Sequence, residues 1–257
     1  MRSLARDPLG KPFNLILSLH PVGLGDRAWN RVVSALDRTV RKYERVNRVI
    51  TLGYSDRMRR VLAEMAVLED GMVVLDAGCG PGNMSAHILR RLRRGKLYCL
   101  DPLPSMLKAA FNNLRSMAGE VSLNFLEATF ESIPLPDNSV DVIVTSYALR
   151  DAQDLYKALE EFKRVLKPGG QLLVLDLVRP DSRIFAALVG LYLRTLVPLI
   201  SIPIYGSLDT PWKELYPTFK QMLTASEFVN MIGEEFEVIK VKRALLGTFV
   251  AIKSRRP

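Results

Sequence analysis

The stretch Asp76-Ala-Gly78-Cys-Gly80-Pro-Gly82 sets three glycines at alternate positions behind a carboxylate. Glycines let a ligand approach the backbone without meeting a Cβ, and a helix that starts just after them offers free N–H groups. The apolar run Met72-Val-Val-Leu75 reads as a strand and Met84 to Arg94 as a helix, so the loop joins strand to helix. Dinucleotide-binding loops share that setting, but their fingerprint is G-x-G-x-x-G, whereas the spacing here is G-x-G-x-G with Pro81 inside. A carboxylate two residues ahead of the first glycine repels a diphosphate and welcomes an ammonium. S-Adenosylmethionine brings an ammonium, a carboxylate and a sulfonium but no phosphate, and it matches those charges better. The bland alternative is a tight turn with Asp76 as a helix cap.

A second carboxylate follows. Asp101 ends the strand-like run Lys96-Leu-Tyr-Cys-Leu, 25 residues after Asp76, where it can accept both hydroxyls of a ribose. Met106 would set a thioether near an adenine edge, although a methionine in a helix is more often core. Other chemistries lack their residues. With only His20 and His87, a histidine triad, a His-rich metal site and H-E-x-x-H are all but excluded. Cys79 and Cys99 form no C-x-x-C and no disulfide framework, and no metal is expected. Cys79, flanked by glycines, reads as small rather than nucleophilic, and His87 reads as structural.

The elements that must position these residues alternate. After a helix near Ser55–Val67, strand-like runs at Met72–Asp76, Lys96–Asp101, Val121–Leu126, Val140–Thr145 and Gln171–Asp176 are separated by helical stretches at Met84–Arg94, Leu103–Met117 and Gln153–Leu166. That alternation predicts an α/β fold, a mostly parallel sheet with helices on both faces. Lys167-Pro-Gly-Gly170 reads as a sharp helix-to-strand turn. A helix at about Thr224–Ile232 and two runs, Phe236–Val241 and Thr248–Ile252, close the chain as an antiparallel hairpin.

Four segments together resemble Rossmann-like (class I) methyltransferases: Val-Leu-Asp76-Ala-Gly-Cys-Gly-Pro-Gly82, Asp101-Pro-Leu-Pro-Ser-Met-Leu107, Ile133-Pro-Leu-Pro-Asp-Asn-Ser139 and Arg164-Val-Leu-Lys-Pro-Gly-Gly170. The resemblance spans Gly71 to Asp176 and implies a Rossmann-like sheet of seven strands. Finer features are similar to the ubiquinone/menaquinone biosynthesis C-methyltransferases. Tyr43-Glu-Arg-Val-Asn47 resembles that family's Y-D-x-x-N, and Ser146-Tyr-Ala-Leu-Arg-Asp151 its S-F-G-L-R-N. The resemblance implies a cofactor site of Tyr43, Asp76, Gly78, Gly80, Gly82, Asp101, Met106, Thr129 and Ser146. It also implies acceptor contacts from Asn47 and Tyr147, with Arg150 and Asp151 as the catalytic pair. Thr129 stands where the family carries Asp or Asn for the adenine amino group, and Arg150-Asp151 replaces Arg-Asn. A sulfonium methyl is already electrophilic, so such an enzyme must exclude water, hold the acceptor in line and make it electron-rich. Arg150 would stabilise an acceptor phenolate, and the proton would leave through water held by Arg150 and Asp151 or to a carboxylate.

The charge is uneven. Residues 1–60 hold 13 basic and 5 acidic side chains, whereas the remainder holds 23 and 22. From Arg27 to Ile50 apolar residues recur every three or four positions among arginines, a basic amphipathic helix. We therefore expect a basic helical extension or lid over residues 1–60. The methyltransferase domain follows over 61–257, with an apolar insertion at about 184–220. Ile184 to Tyr205 contains one charge, Arg194, with Pro198 and Pro203. These argue against a membrane span and leave either a buried core helix or, preferred, an apolar cover over a greasy acceptor. Beside a basic extension, that suits an enzyme working at the inner face of a bilayer. The early apolar run, Leu15 to Leu19, is too short for a secretory signal, so the cytoplasm is the expected compartment.

The expected activity is thus C-methylation of a prenylated quinone precursor, demethylmenaquinone-like or a related benzoquinol. The alternative is O- or N-methylation of another small lipid or phenol. RNA methylation is least favoured, because Thr145-Ser-Tyr147 stands where exocyclic-amine methylation expects [D/N]-P-P-[Y/F/W] and the catalytic half is nearly neutral. A lipophilic small molecule and a membrane surface are the expected partners, with a homodimer left open.

Overall fold

The computed structural model describes residue 23 and residues 46–51, 53–205 and 215–257. Tyr43 and most of the amphipathic extension lie outside that set. Helix α1 (Tyr54–Met65) leads into β1 (Val73–Ala77), α2 (Asn83–Leu89), β2 (Arg94–Asp101), α3 (Pro104–Leu114), β3 (Glu120–Glu127) and β4 (Val140–Ser146). A single 3-10 turn (Leu149–Asp151) then precedes α4 (Leu155–Val165), β5 (Leu166–Leu177), α5 (Arg183–Tyr205), α6 (Leu215–Gln221), α7 (Ala225–Glu235), β6 (Glu237–Ala244) and β7 (Phe249–Arg255).

The strands form one sheet in the order β3-β2-β1-β4-β5-β7-β6. β1 to β5 pair in parallel, and β7 runs antiparallel to both β5 and β6. The fold is therefore the expected α/β, Rossmann-like sheet of seven strands with a carboxyl-terminal hairpin. Successive strand residues face opposite sides, which divides the core in two. Leu75, Leu100 and Ile143 pack with Leu159 and Phe162 of α4, while Val74, Leu97, Cys99 and Val142 pack with α1, α2 and α3. Strand order reverses direction at β1, so the chain leaves β1 and β4 toward opposite sides of the sheet and opens a crevice at their carboxyl ends.

Two boundaries differ from the expected ones. The helix read through Arg94 ends at Leu89, and β2 begins at Arg94. Gly95 explains the early strand: with φ +135° its backbone lies so near Met72 that a Cβ would sit 2.3 Å from the Met72 carbonyl. Residues 167–170 are not a free turn either. β5 starts at Leu166, and the strand register against β4 slips between Val140 and Val142. The Gly169 N–H donates to the Arg256 carbonyl and the Arg256 N–H to the Gly170 carbonyl, so the chain end holds this excursion. Arg164 ties the motif around residues 133–137 to α4 by donating to the Ile133 and Leu135 carbonyls and to Asp137.

α5 runs unbroken through Pro198 and Pro203. Val197 packs with Val46 and Ile50, and the Tyr192 hydroxyl donates to the Ile50 carbonyl at 2.6 Å. Leu193 and Ile200 pack beside them, whereas Ile184, Phe185, Leu188, Leu191, Leu196 and Leu199 stay open. That speaks against the buried-core alternative: the core is already closed by α1 to α4 and α7, so among the described residues nothing packs on one face of α5.

Candidate functional site

Both halves of the site sit at the switch point. Asp76 of β1 lies beside Val144 of β4 and Cys99 of β2, so the loops leaving these three strands converge. Gly78 takes φ +72°, and a Cβ there would sit 2.5 Å from the Ala148 Cβ and 2.9 Å from the Phe130 ring. The loop is therefore pressed against the segment after β4, and the N–H groups of Gly78 and Cys79 both donate to the Leu100 carbonyl. At Gly80 an added Cβ would meet nothing within 4 Å, which leaves open space over the backbone.

Asp76 is fully buried. One carboxylate oxygen accepts from the Ser85 hydroxyl at 2.6 Å, while Oδ1 is buried with no partner. Burial raises its pKa to about 6 against the lowering pull of Ser85 and of Arg59. A buried, half-satisfied carboxylate costs free energy until a donor reaches it. Asp101 is held differently: Oδ2 accepts the Gly80 N–H at 2.9 Å and Oδ1 the Leu103 N–H at 3.0 Å. It pins the glycine loop to the tip of β2 and keeps lone pairs for ribose hydroxyls. Burial shifts its pKa upward against those two N–H groups.

On the other side of the crevice, Arg150 and Asp151 lie in the 3-10 turn after β4. The Arg150 Nη1 donates to Asp176 Oδ1 at 2.5 Å and its backbone N–H to Asp176 Oδ2 at 3.0 Å. Its Nη2 lies 3.6 Å from Asp151 Oδ2. Asp176, the acid ending β5, has no exposed side chain and so spends its charge on Arg150. Burial pushes Asp151 up to about 6, Arg150 pulls it down, and Asp176 raises it further; solvent reaching 29% of that side chain softens the shift. The turn thus offers a carboxylate that takes up a proton more readily than a free aspartate, beside a cation already balanced by a second carboxylate.

Other expected residues are spread around the crevice. Met106 is buried in the first turn of α3, Thr129 is half-buried in the loop after β3, and Ser146 is half-buried at the end of β4. Asn47 is half-buried in the helical residues 46–50, and its carbonyl accepts from both the backbone N–H and the hydroxyl of Thr51. Tyr43 lies outside the described residues. Tyr147, expected at the acceptor, adopts φ +60°, rare for an aromatic residue. Its hydroxyl donates to the Ser55 carbonyl at 3.1 Å, and its ring lies 5.0 Å from Arg59 and edge-on to Phe249. Tyr147 therefore bolts the end of β4 to α1 and β7. The His87 ring bonds Asp56 of α1 at 3.1 Å, and a hydrogen bond with Cys99, together with burial, pushes the Cys79 thiol well above its ordinary pKa.

Two groups escaped sequence reasoning. Asp176 is the third acid at a strand tip, after Asp76 and Asp101, and that repetition was the available signal. Arg59, buried in α1, lies close enough to lower Asp76 and gave no signal beyond helical spacing.

The orphan Asp76 Oδ1 and the open backbone at Gly80 fit a cationic amino-acid nucleoside, whose ribose would then meet Asp101. Asp101→Ala should weaken binding more than about tenfold, at about 1.4 kcal/mol per decade, as measured by calorimetry; unchanged affinity would leave Asp101 with the loop anchor alone. Among the described residues no group of acids, histidines or cysteines could hold a metal.

Comparison with known proteins agrees with this geometry. The ubiE/COQ5 methyltransferase family model matches residues 26–242. The "Ubiquinone/menaquinone biosynthesis C-methyltransferase UbiE" of Syntrophotalea carbinolica is 33% identical over 219 residues, 85% of this chain and 90% of that protein. The protein of the same name from Shewanella halifaxensis is 34% identical over 68% of each chain. Among solved structures, a SAM-dependent methyltransferase from Aquifex aeolicus superposes with TM-score 0.55 at 22% identity, covering 77% of this chain and 88% of that one. A geranyl diphosphate methyltransferase bound to GPP and sinefungin does so with TM-score 0.56 at 14% identity, covering 78% and 77%. Crevice, carboxylates and relatives lead to one assignment: this chain belongs to the ubiE/COQ5 methyltransferase family and is an S-adenosylmethionine-dependent methyltransferase.

Proposed function

We propose that the enzyme methylates a ring carbon of a prenylated hydroquinone or naphthol, at the cytoplasmic face of a membrane. The observation that carries this reading is the turn after β4, where Asp151 stands beside an Arg150 already neutralised by Asp176. The methyl donor, when bound, supplies an electrophilic methyl group on a sulfonium. The chain must then make a carbon nucleophile. Asp151, raised to about 6, takes the proton of an acceptor hydroxyl, which is phenol-like with a pKa near 10. The guanidinium N–H groups of Arg150 narrow that gap by donating to the developing oxyanion. The electron pair of the phenolate moves to the adjacent ring carbon as the new C–C bond forms and the C–S bond breaks. The ring proton on that carbon then leaves to water, the ring regains its aromatic electrons, and Asp151 returns its proton to the oxygen.

O- or N-methylation would need the oxygen or nitrogen itself in line with the methyl, and the names of the relatives favour carbon. The direct test incubates lipid extract with the enzyme and isotopically labelled methyl donor, followed by mass spectrometry. The expected product is a prenylated quinone with label on a ring carbon. Label on oxygen or nitrogen, or in a lipid without a quinone ring, overturns the reading.

A further inference from the structure

α5 is 23 residues long, about 34 Å at 1.5 Å per residue. Between Arg183 and Pro203 its mean hydropathy is 1.9, yet only 17% of the most apolar window is buried. Ile184, Leu188, Leu191 and Leu199, spaced by four, three and eight residues, fall on one side of the helix and are 72%, 52%, 60% and 65% exposed, with Phe185 and Leu196 flanking them. Side chains at that spacing share a face, and a contiguous apolar face of this length is unusual on a monomer in water. The opposite side is committed to the domain. Val197 packs on Val46 and Ile50, and Gly190 lies against Tyr216 and Phe219 of α6. A helix pinned along one side cannot be surrounded by lipid, so it can lie in a bilayer surface and not cross it.

We infer that the outer face of α5 docks the enzyme into the headgroup boundary of an anionic phospholipid bilayer. Charge selects this occupant. No acidic residue occurs from Arg183 to Leu208, whereas Arg183 and Arg194 are exposed. Arg194 sits at the flank of the apolar face, 5.9 Å from the Tyr216 ring, with Lys220 at 4.7 Å from the same ring. Long cationic side chains beside an apolar stripe reach lipid phosphates while their stems stay with the hydrocarbon. A second copy of this chain fits less well. In a two-fold contact the face meets itself, and one centred on the middle of α5 brings Arg194 toward Arg194 with no acid to answer it. The face is also aliphatic, with Phe185 as its one large aromatic, where protein interfaces favour Tyr, Trp and Met.

Position gives the docking a purpose, and this part rests on the proposed acceptor. α5 begins seven residues after Asp176, the partner of Arg150. A face inserted there brings the carboxyl edge of β4 and β5 down to the bilayer, where a prenylated ring is dissolved, so that the ring need not cross water.

The test is flotation of the full chain with phosphatidylcholine/phosphatidylglycerol vesicles, comparing the wild type with Leu188→Gln combined with Leu199→Gln. Both positions are exposed, and the change keeps net charge and leaves the fold's packing alone. The wild type should float, and the double variant should partition about tenfold less or weaker still. Both should melt at the same temperature and methylate a short-chain, water-soluble acceptor equally. A wild type that stays with the soluble fraction, or a variant that floats equally well, overturns the docking. So does a wild-type dimer in sedimentation that the variant converts to monomer, which would assign the face to a second copy. A wild type that floats but methylates no quinol leaves the docking standing and removes the proposed acceptor.

Discussion

Asp151→Asn is expected to lower kcat by about 10²–10⁴-fold, the range lost with a positioned general base, while S-adenosylmethionine affinity stays unchanged. The reason is local. Asp151 is the one carboxylate of the Arg150–Asp151–Asp176 group whose side chain reaches solvent, and Asp176 is fully buried and spent on Arg150. Asparagine keeps the shape and a hydrogen-bond acceptor but cannot take a proton. Arg150→Ala should also lose turnover and keep cofactor binding, yet it is the less clean experiment. It leaves Asp176 buried without its cation, at a cost of about 3–5 kcal/mol, so stability has to be measured alongside. The two losses should not add, because base and cation act on the same oxyanion. The pH profile separates a base from a structural residue. Asp151 must be ionised to work, so kcat at saturating substrates should rise with pH and level off above about 6. In Asp151→Asn that acidic limb should vanish. An unchanged rate, or the same limb in the variant, would remove Asp151 from proton transfer.

The parallel half of the fold was legible because each strand is short, aliphatic and bounded locally. Asp76 and Asp101 could be placed at strand tips from their own neighbours, and the antiparallel hairpin followed from two runs joined by a few residues. What escaped notice depends on contacts distant in sequence. Asp176 meets Arg150 only because β4 and β5 align in register, with Ser146 beside Leu175. Tyr147 reads as an acceptor contact from its place after the strand, but a left-handed backbone and a carbonyl 92 residues away, at Ser55, turn it toward α1. Asp101 reads as a ribose ligand, and no sequence pattern reveals that it also grips the Gly80 N–H. The apolar run of α5 is the same string of letters whether a helix is buried or bare. Whether anything packs on it is decided by how much core the other helices have already covered, which is a property of the assembled domain.

Asp76→Asn should separate the cost of this buried carboxylate from its use. Asp76 has a folded-state pKa of about 6 against an ordinary 3.8. The folded chain therefore binds its proton more readily than the unfolded chain does. Between those values stability falls as pH rises, and above about 6 the apoenzyme bears the full penalty, about 3 kcal/mol at 1.36 kcal/mol per unit. The asparagine variant without cofactor should melt higher than wild type at pH 7.5, with the gain shrinking as pH falls toward 4. Cofactor binding should show the reverse. An ammonium placed at the orphan Oδ1 favours the ionised form, so wild-type affinity for S-adenosylmethionine should rise with pH through about 6 and then level off, with protons released on binding below that pH. The variant should bind more than about tenfold more weakly at pH 7.5 and lose the pH dependence, as read by calorimetry in two buffers of different ionisation heat. Because the bound ammonium has already drawn Asp76 to its ionised form, this titration belongs to cofactor capture and is absent from kcat, whose limb is left to Asp151. Wild-type affinity that stays flat between pH 5 and 7 would mean that the ammonium lies elsewhere, and that Asp76 only holds Ser85 and the start of α2.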